Sequence, residues 1–201
     1  MDTLVLHLDD RTTDFLMVIY AGCGYPVVSG AINPADLADK IKTARRVFLL
    51  GHGGPGGLFA RNFNINDDFG CLLGEKQEGL YIWCNADAYA VRHALTGLVS
   101  GMFISEVAEA RLFGITVTQS EVDDSNYFFS SVVRHVLGAG LPLSEVKERY
   151  DSAACPIVQF NRERLYVFEH GVPTPALHYS SLAWRRTETV NQIDLVEHNL
   201  S

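Results

Sequence analysis

No two of the four cysteines, Cys23, Cys71, Cys84 and Cys155, form a C-x-x-C pair, which argues against zinc ribbons and thioredoxin-like redox sites. Apolar runs are also short, well under the roughly 18 residues that read as a membrane span. The first ten residues, Met1-Asp2-Thr3-Leu4-Val5-Leu6-His7-Leu8-Asp9-Asp10, lack the basic start and small-residue cleavage site of a signal peptide. The expected location is therefore the cytoplasm, where thiols stay reduced, and no membrane partner is expected. No like-charge run is long enough to form a tail, and no repeat or low-complexity tract interrupts the chain. Positive charge is in the minority: 16 Lys and Arg against 24 Asp and Glu give a formal net charge of −8. Such a chain repels phosphate backbones, so nucleic acid is not an expected partner.

What is present suits one globular core. The 201 residues are 47% hydrophobic and 20% charged, enough for a single domain over residues 1–201 and short for two. Strands are predicted over residues 3–8, 15–20, 46–51, 79–83, 101–107 and 165–168, with a continuation near 115–118. Helices are predicted over 33–44, 65–77, 87–98, from Asp123 or Asp124 to 137, and over 144–150. Asn33 and Pro34 give the first helix an N-cap and a first-turn proline. The last thirty residues read as irregular. Strands alternating with helices imply an α/β fold, a mostly parallel sheet with helices on both faces. Ligands of such folds bind at the carboxyl edge of the sheet.

Two residues stand where that edge is expected. Val47-Phe48-Leu49-Leu50-Gly51 is an apolar strand that stops at His52, and Leu80-Tyr81-Ile82-Trp83 stops at Cys84. A cysteine nucleophile works as its thiolate, and a nearby histidine can take and return the proton. Acyl transfer also needs donors aimed at the developing oxyanion. Gly53 leaves its amide unobstructed, and the Cys84 amide sits where a strand turns towards a helix. A dyad of this kind is expected to approach to about 3–7 Å, since apo dyads are often loose.

The ordered pair of motifs, His52-Gly53-Gly54 and, 32 residues on, Cys84-Asn85, resembles the caspase-like cysteine peptidases: caspases, legumains, gingipains, clostripain and separase. The stretch from Thr118-Gln119-Ser120 to Gly140-Leu141-Pro142-Leu143-Ser144-Glu145 is similar to caspase-like domains of bacteria. The resemblance covers residues 3–150. It implies a caspase-like three-layer sandwich and a cysteine endopeptidase acting on protein or peptide. His52 would be base and acid, Cys84 the nucleophile, and the amides of Gly53 and Cys84 the oxyanion hole. No cofactor or metal is implied. Asp87, three residues past Cys84, and the bulky Trp83 are candidates for the substrate pocket, Asp87 as the partner of an Arg or Lys side chain. Asp87 reads more readily as a helix cap, a position Asp strongly favours. The alternative reading is a catalytically silent interaction domain that keeps the fold, with Trp83 filling the cleft.

Two further patterns compete for the glycine-rich loop. Gly51-His52-Gly53-Gly54-Pro55-Gly56-Gly57 is similar to the oxyanion loop of α/β-hydrolase serine peptidases. That fold needs a Gly-x-Ser-x-Gly elbow, and in Gly97-Leu98-Val99-Ser100-Gly101 the serine stands one place too late. A phosphate loop needs Lys where Phe59 and Ala60 follow.

Overall fold

The computed structural model describes residues 2–59 and 64–174, so the irregular reading of the last thirty residues lies almost wholly outside the described residues. Along the chain the strands are β1 (Thr3–His7), β2 (Val27–Val28), β3 (Arg46–Leu50), β4 (Gly53–Gly54), β5 (Gly57–Phe59), β6 (Asn64–Ile65), β7 (Gly79–Ile82), β8 (Gly97–Ser100), β9 (Leu165–Glu169) and β10 (Val172–Pro173). The α-helices are α1 (Met17–Tyr20), α2 (Pro34–Thr43), α3 (Gly70–Gly74), α4 (Ala86–Arg92), α5 (Val107–Leu112), α6 (Gln119–Gly138), α7 (Ser144–Arg149) and α8 (Pro156–Glu163).

Seven strands form one sheet in the order β10-β9-β8-β7-β3-β1-β2. The five from β2 to β8 are mutually parallel, and β9 and β10 close one edge antiparallel. Alternate residues of each central strand enter opposite cores, the consequence of a side-chain period of two. Leu4, Leu6, Val47, Leu49, Tyr81 and Trp83 pack on one face with Leu37 and Ile41 of α2 and Tyr89 of α4. Val5, Phe48, Leu50, Leu80 and Ile82 pack on the other with Phe129, Val133 and Val136 of α6 and Val146 of α7. The mixed α/β architecture and the mostly parallel sheet are as expected.

Several element boundaries differ. Residues 15–20, expected as a strand, end a 3-10 helix (Arg11–Leu16) and form α1. Asp10 caps that helix by accepting from the Thr12 N–H, and Leu16 and Ile19 are buried while Met17 is exposed, a helical spacing. The helix expected over 87–98 ends at Arg92, because Gly97 already pairs with Gly79 in the sheet. The strand expected over 101–107 is instead β8, earlier by four residues, and residues 115–118 are no strand but lead to Thr118, the N-cap of α6. The helix expected over 65–77 shrinks to a 3-10 turn (Asp67–Phe69) and α3. Among the described residues no helix is long and apolar enough to cross a membrane.

Candidate active site

The site is built where β3 and β7 end side by side. Their parallel register runs Phe48↔Leu80, Leu49↔Tyr81, Leu50↔Ile82, so His52 and Cys84 each leave the sheet two residues past the last matched pair. Gly51 has φ +144, open to glycine and strained for other residues, and its N–H bonds the Ile82 carbonyl at 3.1 Å. That turn tips His52 off the sheet. On the neighbouring strand Asn85 adopts the left-handed conformation (φ 62, ψ 34), tolerated best by Asn among non-glycine residues, and it caps α4. Cys84 is thus held on a sharp strand-to-helix turn. His52 and Cys84 line one narrow cavity of about 20 Å³, with Thr13, Phe15, Phe103 and Ser105, room for about one water.

The His52 ring is oriented by a relay the sequence did not suggest. The Thr12 hydroxyl donates to the Asp10 carboxylate (2.8 Å), so its oxygen must accept from His52 Nε2 (2.6 Å). Asp10 itself lies 4.0 Å from Nε2. In the neutral ring the proton is therefore assigned to Nε2, and Nδ1 keeps the lone pair a base needs. Asp10 and Thr12 come from the loop after β1, which a second histidine stiffens. Thr13 donates to the Asp10 carbonyl (3.0 Å), accepts from His7 Nε2 (3.2 Å), and His7 Nδ1 accepts from the Tyr20 hydroxyl (2.8 Å). Burial holds His7 below its ordinary pKa, matching a neutral ring with both nitrogens engaged.

Cys84 is half-buried, and its thiol does not bond His52. It donates to the Phe103 carbonyl (3.5 Å) and to Glu109 Oε1 (3.8 Å). Burial, then the Glu109 carboxylate, push the thiol up to about 12, so it rests protonated. Burial likewise raises the Glu109 carboxyl. The backbone amides that flank the expected oxyanion donors are bonded into the fold. The Trp83 N–H goes to Ser100 Oγ (3.0 Å) and the Asn85 N–H to the Gly101 carbonyl (3.0 Å). The Cys84 N–H between them bonds no described residue. Gly53 lies opposite Leu58 in the β4–β5 ladder, and the flanking Phe59 N–H bonds the His52 carbonyl at 2.8 Å. Bonded pairs alternate in such ladders, so the Gly53 N–H faces away from β5.

Of the two residues expected at a substrate pocket, Trp83 lines the His52–Cys84 cavity and Asp87 does not. The Trp83 indole is buried, packed edge-on against Tyr81 and Tyr89, and donates to the Gly54 carbonyl at 3.0 Å. It supports the histidine loop from beneath. Asp87 is buried in the first turn of α4 and is not among the residues lining the His52–Cys84 cavity. The N-cap position of that helix is held by Asn85, two residues before it. A larger cavity of about 560 Å³ adjoins the dyad cavity through the shared Phe15 and Ser105, with Arg11, Glu106 and Asp123 on its walls. Among the described residues no group of three or more His, Cys, Asp or Glu could hold a metal ion. In comparisons with known proteins, no family model, no curated sequence and no solved structure matches this chain.

Proposed function

We propose that the chain is a cysteine peptidase of the caspase-like kind, hydrolysing a peptide bond with His52 and Cys84. The observation that carries this reading is the pairing of the two residues at the ends of adjacent parallel strands, lining one cavity. Two backbone amides free for an oxyanion, and a relay that leaves His52 Nδ1 basic, support it. In the reaction Nδ1 takes the thiol proton as Sγ attacks the scissile carbonyl, and the Gly53 and Cys84 N–H groups hold the oxyanion. The same proton then passes to the leaving amine, and water releases the acyl group. The 560 Å³ cavity adjoining the dyad is the place for the side chain preceding the cut.

A second reading, a silent domain on the same frame, draws on one observation: the resting thiol bonds Glu109 and Phe103 rather than His52. A peptidyl acyloxymethylketone separates the two, since it needs an attacking thiol and an oxyanion site. The peptidase reading expects stoichiometric labelling of Cys84, lost in His52→Ala while the fold persists. Absence of Cys84 labelling by a panel of such probes, with Cys23 and Cys71 still open to iodoacetamide, would establish the silent domain.

A further inference from the structure

Glu109 occupies an odd place for a carboxylate, beside the sulfur of a candidate nucleophile. Its two oxygens divide the work. Oε2 accepts from the Ser105 N–H (2.7 Å), the Ser105 hydroxyl (3.2 Å) and the Glu106 N–H (3.1 Å), forming part of the capping box that starts α5. Those three donors anchor the group. Oε1 remains for the Cys84 thiol. A cap needs only one oxygen, so the second contact is not explained by helix capping. The segment that leads into α5 and its first turn, which carries Glu109, also supplies the other thiol acceptor, the Phe103 carbonyl, and the wall of the 560 Å³ cavity through Ser105, Glu106, Val107 and Ala108. The charged and titratable groups facing the thiol are Glu109 and, farther off, Glu106, both at the start of α5, with His52 across the shared cavity.

We infer that Glu109 is a positioning residue that holds the Cys84 thiol in a resting state, bonded to segment 103–109 instead of to His52. The thiol turns to His52 only when that segment releases it, and a substrate seated against residues 105–108 is the natural trigger, because it presses on the same segment. This inference rests on the peptidase reading of Cys84, for which it supplies the regulation. A carboxylate beside a thiol disfavours the thiolate, so the lock lowers reactivity in the absence of substrate.

The test uses the full chain and iodoacetamide, whose reaction needs no oxyanion hole or substrate pocket. Mass spectrometry follows the alkylation of each cysteine across a range of pH in wild type and Glu109→Gln, which keeps shape and an acceptor oxygen but removes the charge. The expected result is a Cys84 profile displaced to lower pH, with a rate at neutral pH raised about tenfold per unit of displacement. Cys155, half-buried elsewhere, serves as the control and keeps its profile. Glu109→Asp, retaining the charge, should stay near wild type. An unmoved Cys84 profile overturns the inference, and so does a rise shared by Cys155, which marks general loosening. Failure of the acyloxymethylketone alone, with the profile displaced, would remove the peptidase reading and leave Glu109 as the partner that locks the thiol.

Discussion

At the scale of single residues, the site depends on polar atoms whose partners come from remote positions. His7 is 3% exposed, yet both ring nitrogens are engaged, and it braces the loop that carries Asp10 and Thr12 to His52. Its folded-state pKa lies below the ordinary 6.5, chiefly through burial. The folded protein therefore binds that proton less readily than the unfolded chain. Stability from this group is complete above pH 6.5, is lost as the pH falls through 6.5, and levels off only below the folded pKa. Urea midpoints at about pH 7.5 and about pH 5.5 should thus differ more in wild type than in His7→Gln, which cannot take up the proton. Equal differences in the two proteins would show that His7 does not set the acid limb. Sequence pattern marked His52 and Cys84 because each ends an apolar run. It could not mark Thr12, Asp10 or Glu109, which lie 40, 42 and 25 positions from the side chains they serve.

At the scale of elements, the glycine loop after β3 is shaped by what packs beneath it. A Cβ on Gly53 would stand 2.3 Å from Trp83 Cδ1 and 2.5 Å from the Gly57 carbonyl. Gly53→Ala must push the indole or the hairpin aside, at a cost of about 1–3 kcal/mol, the usual range for overpacking. Because the displaced element also carries a proposed oxyanion donor, acyloxymethylketone labelling of Cys84 should fall more than stability does. A denaturation midpoint unchanged from wild type would contradict the packing argument. The sequence reading of elements succeeded where a cap or a long apolar period defined them, as in α2, β3, β7 and α7. It failed for residues 15–20, because a short apolar run fits a buried strand and a helix turn equally. The structure decides through pairing: β1 takes β2 and β3 as partners and leaves no edge for a further strand there.

At the scale of the whole molecule, the net charge of −8 meets a cavity whose walls carry Glu106 and Asp123 against Arg11. For the proposed peptidase, that balance predicts a basic side chain before the cut, a preference the sequence attached to Asp87 and the cavity attaches to different residues. Peptides with Arg or Lys at that position should be cleaved with a kcat/KM that falls as salt rises from about 0.02 to about 0.2 M, because screening weakens steering by the acidic surface. Asp123→Asn should lower the rate for those peptides and leave an Ala-containing peptide unaffected. Faster cleavage after Asp would assign the cavity to Arg11 instead.

The sequence alone determined the alternation of elements, the buried central strands and the positions of His52 and Cys84, since apolar periodicity and chain breaks are local properties. It also carried the acidic balance and the glycine amides. Only the tertiary structure decided which strands are neighbours, and hence that β3 and β7 deliver their ends to one cavity. It alone joined Asp10, Thr12 and His52, buried Trp83 and Asp87, and set Glu109 against the thiol. The reason is physical: a strand's period states which side of a sheet a residue faces, but hydrogen bonds between side chains far apart in sequence form only after the sheet order and the loops that cross its edge are set.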